Sequence, residues 1–338
     1  MATPIFKNND IELLRSQVQR ADRVVVTCHK APDGDAVGSS LALFALMRAM
    51  GKSVDVITPD MPLKQLMFAP NANLITVNSL NEKLAYSLLQ KADMVFCLDF
   101  NALHRIDRLA DAITDSKAFK VLLDHHIEPE NFCDLTLSFP DGSSTCELLY
   151  HLIYALGYDK FINREVAQCL YMGMMTDTGN FTFGSDYPDI YIAIADLLRF
   201  DIDKERIYNL ALNTYSADSL RLRGYALNEK MQIFPEKGVA CILISKDELE
   251  RFHYKKGDLE GLVNKPLCIP EISMSFLFRE DPFSGNVKIS ARSQGERSVE
   301  AICRDHFGGG GHLNAAGGEF NGSIGEAWER FAKVLTDL

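Results

Sequence analysis

Over its first two hundred residues the chain alternates short β-branched runs with stretches whose apolar positions recur at helical spacing. The runs fall at 23–28, 53–58, 94–99 and 119–123, and a helical pattern at 36–50 separates the first two. Such alternation predicts a mostly parallel sheet flanked by helices, because parallel neighbours need a crossover to join them. Helical patterns continue at 143–156, 164–175, 189–200 and 204–215, and a charged amphipathic stretch runs on to about 230. From 239 the chain begins again: a strand at 239–245, a short helix, strands at 272–278 and 286–292, a helix at 299–307, a glycine cluster and a last helix from 324. The expected fold class is therefore α/β, with a mostly parallel sheet and flanking helices in an N-terminal domain, 1–200. A helical connector, 201–235, leads to a smaller α/β C-terminal domain, 236–338.

Composition narrows the function classes. A chain of 338 residues with 47% apolar and 24% charged side chains has the make-up of a soluble two-domain protein, not of a disordered, fibrous or membrane chain. Lysine and arginine number 35 against 46 acidic residues, a net charge of −11, which is the wrong sign for coating long duplex nucleic acid. A short anionic substrate stays open, since it needs few cations, and carboxylates gathered around divalent metals would account for part of the acidity. The eight cysteines are scattered without a C-x-x-C pair and read as buried thiols in a reducing compartment. With no basic-then-apolar leader and no apolar run long enough for a membrane span, the expected location is the cytoplasm.

Several strand ends carry acids and histidines, the place where open α/β sheets bind ligands. His29, Asp33 and Asp35 share a tight turn that Pro32 and Gly34 bend, and their donors suit Mn²⁺ or Mg²⁺. The same P-D-G is also ordinary turn chemistry. Asp99 closes an apolar run, where it reads as a ligand at the sheet's mouth or as the N-cap of the next segment. Asp124, His125 and His126 close the next strand, and Asp177 ends an apolar helix, where the helix dipole offers a carboxylate nothing. Each cluster alone admits a structural explanation. Four in succession would accumulate like charge at great cost without cations, and two metal ions resolve the conflict.

The ordered set His29-x-x-x-Asp33-x-Asp35, Asp99, Asp124-His125-His126, Asp177 resembles the DHH phosphoesterase superfamily. Ser144-Thr145-Cys146-Glu147 is similar to the start of the helix that commonly follows the family's third motif. The resemblance implies two divalent ions, with Mn²⁺ expected, one held by His29, Asp33 and Asp99 and the other by Asp35, Asp99, His125 and Asp177. It implies further that Asp124 stands behind the ligands and that His126 faces the phosphate, which makes these two the expected catalytic pair.

The block Gly308, Gly309, Gly310, Gly311, His312 follows a helix, so it is not a dinucleotide fingerprint, though successive glycine amides can form an anion nest. Arg292 and Ser293 end a strand in the same domain and offer a cation and a hydroxyl. This block is similar to the DHHA1 domain, and the resemblance implies that Arg292, Ser293, the four glycines and His312 bind the nucleotide part of the substrate. Together the two domains resemble the oligoribonuclease and pAp-phosphatase branch, which implies hydrolysis of short RNA to mononucleotides and of adenosine 3′,5′-bisphosphate (pAp) to AMP. Cyclic di-AMP or pApA hydrolysis is the alternative that shares these motifs, and a noncatalytic nucleotide sensor is the reading from another class. The expected partners are short RNA or small nucleotides, with no membrane and no long duplex, and a homodimer is left open.

Overall fold

The computed structural model describes residues 6–282 and 284–338. Contacts divide the chain into two units, Met1–Thr214 and Tyr215–Leu338.

In the first unit the strands are β1 Arg23–Thr27, β2 Ser53–Thr58, β3 Thr76–Val77, β4 Met94–Leu98, β5 Phe119–Asp124 and β6 Leu135–Ser138. Its helices are α1 Asn8–Arg20, α2 Gly34–Ala49, α3 Glu82–Lys91, α4 Leu109–Asp115, α5 Thr145–Leu156, α6 Arg164–Asp177, α7 Pro188–Leu197 and α8 Lys204–Leu212. The sheet order is β3-β2-β1-β4-β5-β6, and every neighbouring pair is parallel. The strands are apolar because both faces are covered. Val24, Val26, Phe96, Val121 and Leu123 enter one core, while Val25, Val95, Cys97 and Leu122 enter another on the opposite face, as the two-residue period of a strand requires. Strand order reverses direction between β1 and β4, so their carboxyl ends frame the crevice in which a doubly wound sheet binds its ligand.

α2 is buried at every position from Gly34 to Met47, which explains why its sequence is apolar on all sides. It packs against α6 at glycine-to-backbone distance. A Cβ at Gly38 would stand 2.7 Å from the Cys169 carbonyl, and one at Gly34 would stand 2.2 Å from Thr176 Oγ1.

The second unit holds β7 Met231–Phe234, β8 Val239–Ile244, β9 Met274–Glu280, β10 Val287–Ser293, β11 Gly310–His312 and β12 Ala315–Phe320. Its helices are α9 Ala217–Tyr225, α10 Lys246–Arg251, α11 Val299–Phe307 and α12 Ile324–Asp337. The sheet order is β11-β12-β10-β9-β8-β7, with β8 and β9 parallel and the other pairs antiparallel.

Two local expectations change. The helix expected at 204–215 stops at Leu212, and α9 restarts after Ser216, whose side chain caps it by accepting from Ser219 N. Residues 201–235, expected as a connector, are shared between the units. Ile207 and Ala211 are buried in the first unit's core, whereas Leu222 and Ala226 pack with Ile242, Ile244 and Leu249 of the second.

Candidate metal centre

Three short segments at the carboxyl ends of β1, β4 and β5, joined by the end of α6, supply the candidate ligands. After β1 the chain turns through Asp33, whose Oδ1 caps α2 by accepting from Asp35 N and Ala36 N. Asp33 thus serves as a cap and still presents Oδ2 to His29 Nε2 at 3.6 Å. Asp99 follows β4 with φ of +63°, a left-handed conformation that a non-glycine residue adopts at a cost, and its amide donates to the Leu123 carbonyl. That turn is buried, with Asp99 only 2% exposed.

Asp99 joins two groups of donors. Its Oδ2 lies 3.3 Å from His29 Nε2, and its Oδ1 lies 3.5 Å from His125 Nε2. His125 Nε2 is in turn 3.5 Å from Asp177 Oδ2. The compact sets are His29, Asp33 and Asp99; Asp35, His125 and Asp177; and Asp99, His125 and His126, with the donor atoms in each within 4.8 Å of one another. Both imidazoles are turned by backbone carbonyls: Nδ1 of His29 meets the Lys30 carbonyl at 2.8 Å and Nδ1 of His125 meets that of Gly142 at 3.2 Å. With Nδ1 so engaged, Nε2 is the atom that faces the carboxylates, and it is the one that would ligate a metal once its proton has left.

The structure brings all six expected ligands together and also shows parts of the site that the sequence did not expose. Asp35 sits under the first turn of α5, where its Oδ2 accepts from Thr145 N at 2.6 Å and its Oδ1 from Cys146 N at 2.9 Å. Thr145 Oγ1 is 3.1 Å from Asp99 Oδ1 and donates to it. A visible sign of this turn is the S-x-x-E at 144–147, in which Ser144 caps the helix by accepting from Glu147 N. Nothing along the chain indicates that the helix end would cover Asp35. Gly173 of α6 is a second hidden part: a Cβ there would stand 2.1 Å from Cys146 Sγ and 2.8 Å from Asp35 Oδ1.

Asp124, fully buried at the end of β5, holds His126 Nδ1 at 2.7 Å, and His126 Nδ1 lies 3.9 Å from Asp99 Oδ1.

Electrostatics test whether cations fit here. Burial opposes charge on every group, and the protons settle accordingly. For His29, carboxylates at Asp33 and Asp99 outweigh burial and hold the imidazolium well above its usual range; Asp99 and Asp177 do the same for His125. Burial pushes Asp35 well above the carboxylate range, with Asp99 and Asp177 adding to it. Burial likewise pushes Asp177 up to about 7, against the pull of His125. Burial opposes the charge of Asp99 as well, but the neighbouring His125 and His29 imidazoliums overcome it and hold that carboxyl well below its usual value, and His29 likewise lowers Asp33 against its burial. The metal-free cluster is therefore neutralised by protons on the very atoms that would bind cations. Its His–Asp spacings of 3.3 to 3.6 Å also exceed the roughly 2.7–2.9 Å of a charge-assisted hydrogen bond. They match donors that share a cation at about 2.1 Å each, which stand roughly 3 to 3.5 Å apart. An oxygen-rich set with imidazoles suits divalent ions of the Mn²⁺ and Mg²⁺ kind.

In the second unit Arg292 and His312 both register with Ala315, from β10 on one side and β11 on the other. Their side chains therefore leave the same face of the sheet, on strands about 10 Å apart. Ser293 follows Arg292 in β10, so its side chain leaves the opposite face, and its hydroxyl is engaged: it accepts from Asn314 Nδ2 at 2.8 Å and donates to the Arg297 carbonyl at 2.6 Å. The glycines do not form a loose loop. Gly308 ends α11 with φ of +56°, and Gly310 and Gly311 lie in an edge strand. Close approach of β12 requires two of the glycines, since a Cβ at Gly309 would fall 1.9 Å from the Gly317 carbonyl oxygen and one at Gly311 would fall 2.4 Å from that of Ala315.

Comparison with known proteins places this architecture. The profile of the "DHH family, N-terminal domain" matches residues 23–174, a stretch that holds every candidate ligand but Asp177. The chain is 25% identical to the bifunctional oligoribonuclease and PAP phosphatase NrnA of Bacillus subtilis, over 97% of this chain and 96% of that protein. It is also 25% identical to the cyclic-di-AMP phosphodiesterase PdeA of Listeria monocytogenes, over 90% of this chain but only 46% of that protein. The crystal structure of an exopolyphosphatase-related protein from Bacteroides fragilis superposes with a TM-score of 0.96 at 42% identity, covering 99% of this chain and 98% of that one. The doubly wound sheet, the acid and histidine cluster at its switch point and these likenesses agree, and the chain belongs to the DHH family.

Proposed function

We propose that this chain is a divalent-metal-dependent phosphoesterase that hydrolyses short oligoribonucleotides to mononucleotides and dephosphorylates pAp to AMP. The observation that carries the reading is the convergence of His29, Asp33, Asp35, Asp99, His125 and Asp177 at the carboxyl ends of the central strands. The full-length likeness to a protein named for these two activities supplies the substrate class. Bound divalent cations, with Mn²⁺ the proposed occupant, supply Lewis acidity that makes water nucleophilic at neutral pH and neutralises phosphate oxygens.

The chain's own residues do the rest. His29, Asp33 and Asp99 form one proposed ligand set and Asp35, Asp99, His125 and Asp177 the other, with Asp99 common to both. The Lys30 and Gly142 carbonyls orient the two imidazoles, and the α5 amides of Thr145 and Cys146 orient Asp35. Asp124 fixes the ring of His126, which leaves Nε2, across the ring, as the atom that meets a phosphate oxygen. Residues 236–338 are the proposed nucleotide-binding domain, with Arg292, Ser293, Gly308 to Gly311 and His312 as its binding residues. A basic side chain and an imidazole on one sheet face support that role for Arg292 and His312. Location in the cytoplasm completes the reading.

Cyclic di-AMP hydrolysis is the second reading, favoured by the likeness to PdeA, although the chain spans less than half of that protein. One panel decides: purified protein with Mn²⁺ against pAp, short oligoribonucleotides, pApA, cyclic di-AMP and pyrophosphate, with products separated by chromatography. AMP from pAp and mononucleotides from di- and trinucleotides are expected. Preferential opening of cyclic di-AMP would move the protein to the second reading, and failure to cleave any of them with metal bound would leave a nucleotide sensor.

A further inference from the structure

Directly after the candidate ligand Asp177 the backbone does something unusual. Gly179, Asn180 and Phe181 take φ of +57°, +60° and +61° in succession, so two non-glycine residues follow a glycine through the left-handed region. The conformation is disfavoured for each of them, and it persists where surrounding bonds over-determine it. Here they do. Asn180 N donates to the Met175 carbonyl, Phe181 N to Thr178 Oγ1, and both Thr182 N and Phe183 N to the Thr178 carbonyl. Thr178, only 1% exposed, is itself tied to the Met174 carbonyl through its hydroxyl. At the far end Ser185 is buried, and Tyr187 donates its hydroxyl to Glu147, which also accepts from Ser143.

This turn sends two phenylalanines to opposite fates. Phe181 packs inward, its ring centroid 5.7 Å from Tyr171 and 6.5 Å from Tyr191. Phe183 stays 57% exposed, with its ring laid over Gly179: a Cβ on that glycine would stand 2.8 and 3.0 Å from two ring carbons. The ring thus lies against Gly179 along one side, and the side chain keeps more than half its surface open. Gly179 is two residues from Asp177, so its Cα lies within about 7.6 Å of that residue's Cα. A nucleotide whose phosphate rests among the carboxylates has a base within reach of such a ring.

We propose that Phe183 is a stacking platform for one nucleobase of the substrate, mounted on the left-handed turn that begins beside Asp177. The inference rests on the phosphoesterase reading above and adds to it a base-binding position within the first unit. Stacking suits an enzyme of short oligonucleotides with mixed sequence, because every base has a π-face and the contact reads no base identity.

The test compares the metal-loaded wild type with Phe183→Ala, Phe183→Leu and Phe183→Trp. Each is assayed on pAp and on its base-free analogue, ribose 3,5-bisphosphate. In Phe183→Ala, kcat/KM on pAp is expected to fall about 10- to 100-fold further than on the analogue, mostly through KM. Phe183→Leu keeps an apolar side chain over Gly179 and is expected to show the same selective loss, which separates stacking from loop packing. Phe183→Trp is expected to restore pAp turnover, and its indole fluorescence to be quenched when AMP binds. Equal losses on both substrates would mean that the ring only supports the loop, and undiminished pAp turnover in Phe183→Ala and Phe183→Leu would mean that it touches no base; either overturns the platform alone. Wild-type protein that hydrolyses the base-free bisphosphate but no nucleotide would overturn the platform and the oligoribonuclease reading together.

Discussion

Replacing Gly173 by alanine adds one methyl group in the narrowest part of the α2, α5 and α6 contact. The new Cβ would stand 2.1 Å from Cys146 Sγ, 2.9 Å from Cys146 Cβ and 2.8 Å from Asp35 Oδ1, all in fully buried surroundings. Ordinary contact begins near 3.4 Å, so Cys146 Sγ or the helix that carries it must give way by about an ångström. Overpacking of this kind costs about 1–3 kcal/mol, and here the three clashes place it at the upper end. Alanine's better helix propensity returns about 1 kcal/mol. The net loss is about 2 kcal/mol, or roughly 4–8 °C in Tm for a unit of this size. Because Asp35 is among the atoms displaced, bound metal should fall as well. The assay is thermal unfolding by circular dichroism with metal analysis on the same samples. A double-mutant cycle with Cys146→Ala removes the sulfur, the nearest clashing atom, so the pair should be more stable than the two single losses predict, by about 1–2 kcal/mol. If Gly173→Ala melts with the wild type and keeps its metal, or if Cys146→Ala gives no relief, the close-packing argument is wrong.

Asp99→Ala should lose turnover and lower metal stoichiometry, since its two oxygens face the two donor sets; wild-type metal content by elemental analysis would refute the shared role. His126→Ala should hold its metal and lose turnover, and loss of bound Mn²⁺ in that variant would make it a ligand instead. Arg292→Ala and His312→Ala should lower kcat/KM on pAp far more than on a small activated phosphodiester, and equal losses on both would place them in the chemistry. With Asp177 held at about 7, its proton stabilises the metal-free fold fully below the unfolded aspartate value, near 4, and that stabilisation is lost as pH rises through 7. Metal-free protein should therefore melt lower at pH 8 than at pH 6, and Mn²⁺ should remove the difference. Calorimetric titration in buffers of different ionisation enthalpy should show proton release on binding, and a metal affinity unchanged between pH 6 and 8 would sink the linkage.

The candidate ligands were legible in the sequence because an acid that closes an apolar run has one comfortable place in a parallel sheet, the carboxyl end of a strand. Asp99 after 94–98 shows this directly, and so does Asp124 after 119–123, which stands behind the ligands. Gly173 was not legible, and Thr145 was visible only as part of a helix start, since their importance lies in what crosses them in space: a hydroxyl 3.1 Å from Asp99 and a missing methyl beside Asp35. The glycine run gave its position but not its conformation. Glycine is a poor strand former, and only the backbone of Ala315 to Gly317 against it explains why a strand forms there. Likewise β3, with two residues, is too short to carry a period.

Fourteen consecutive buried positions of α2, from Gly34 to Met47, begin one residue after the candidate ligand Asp33 and include Asp35. A helix enclosed on every side has no face on which a change is cheap, so drift in its sequence is transmitted to the chemistry at its start. Diversification of substrate choice in proteins built this way must therefore be written elsewhere, in the turn after α6 and in the second sheet, where side chains reach solvent. A library intended to alter selectivity would be best spent on positions 180–184, 292 and 312, leaving the central helix untouched.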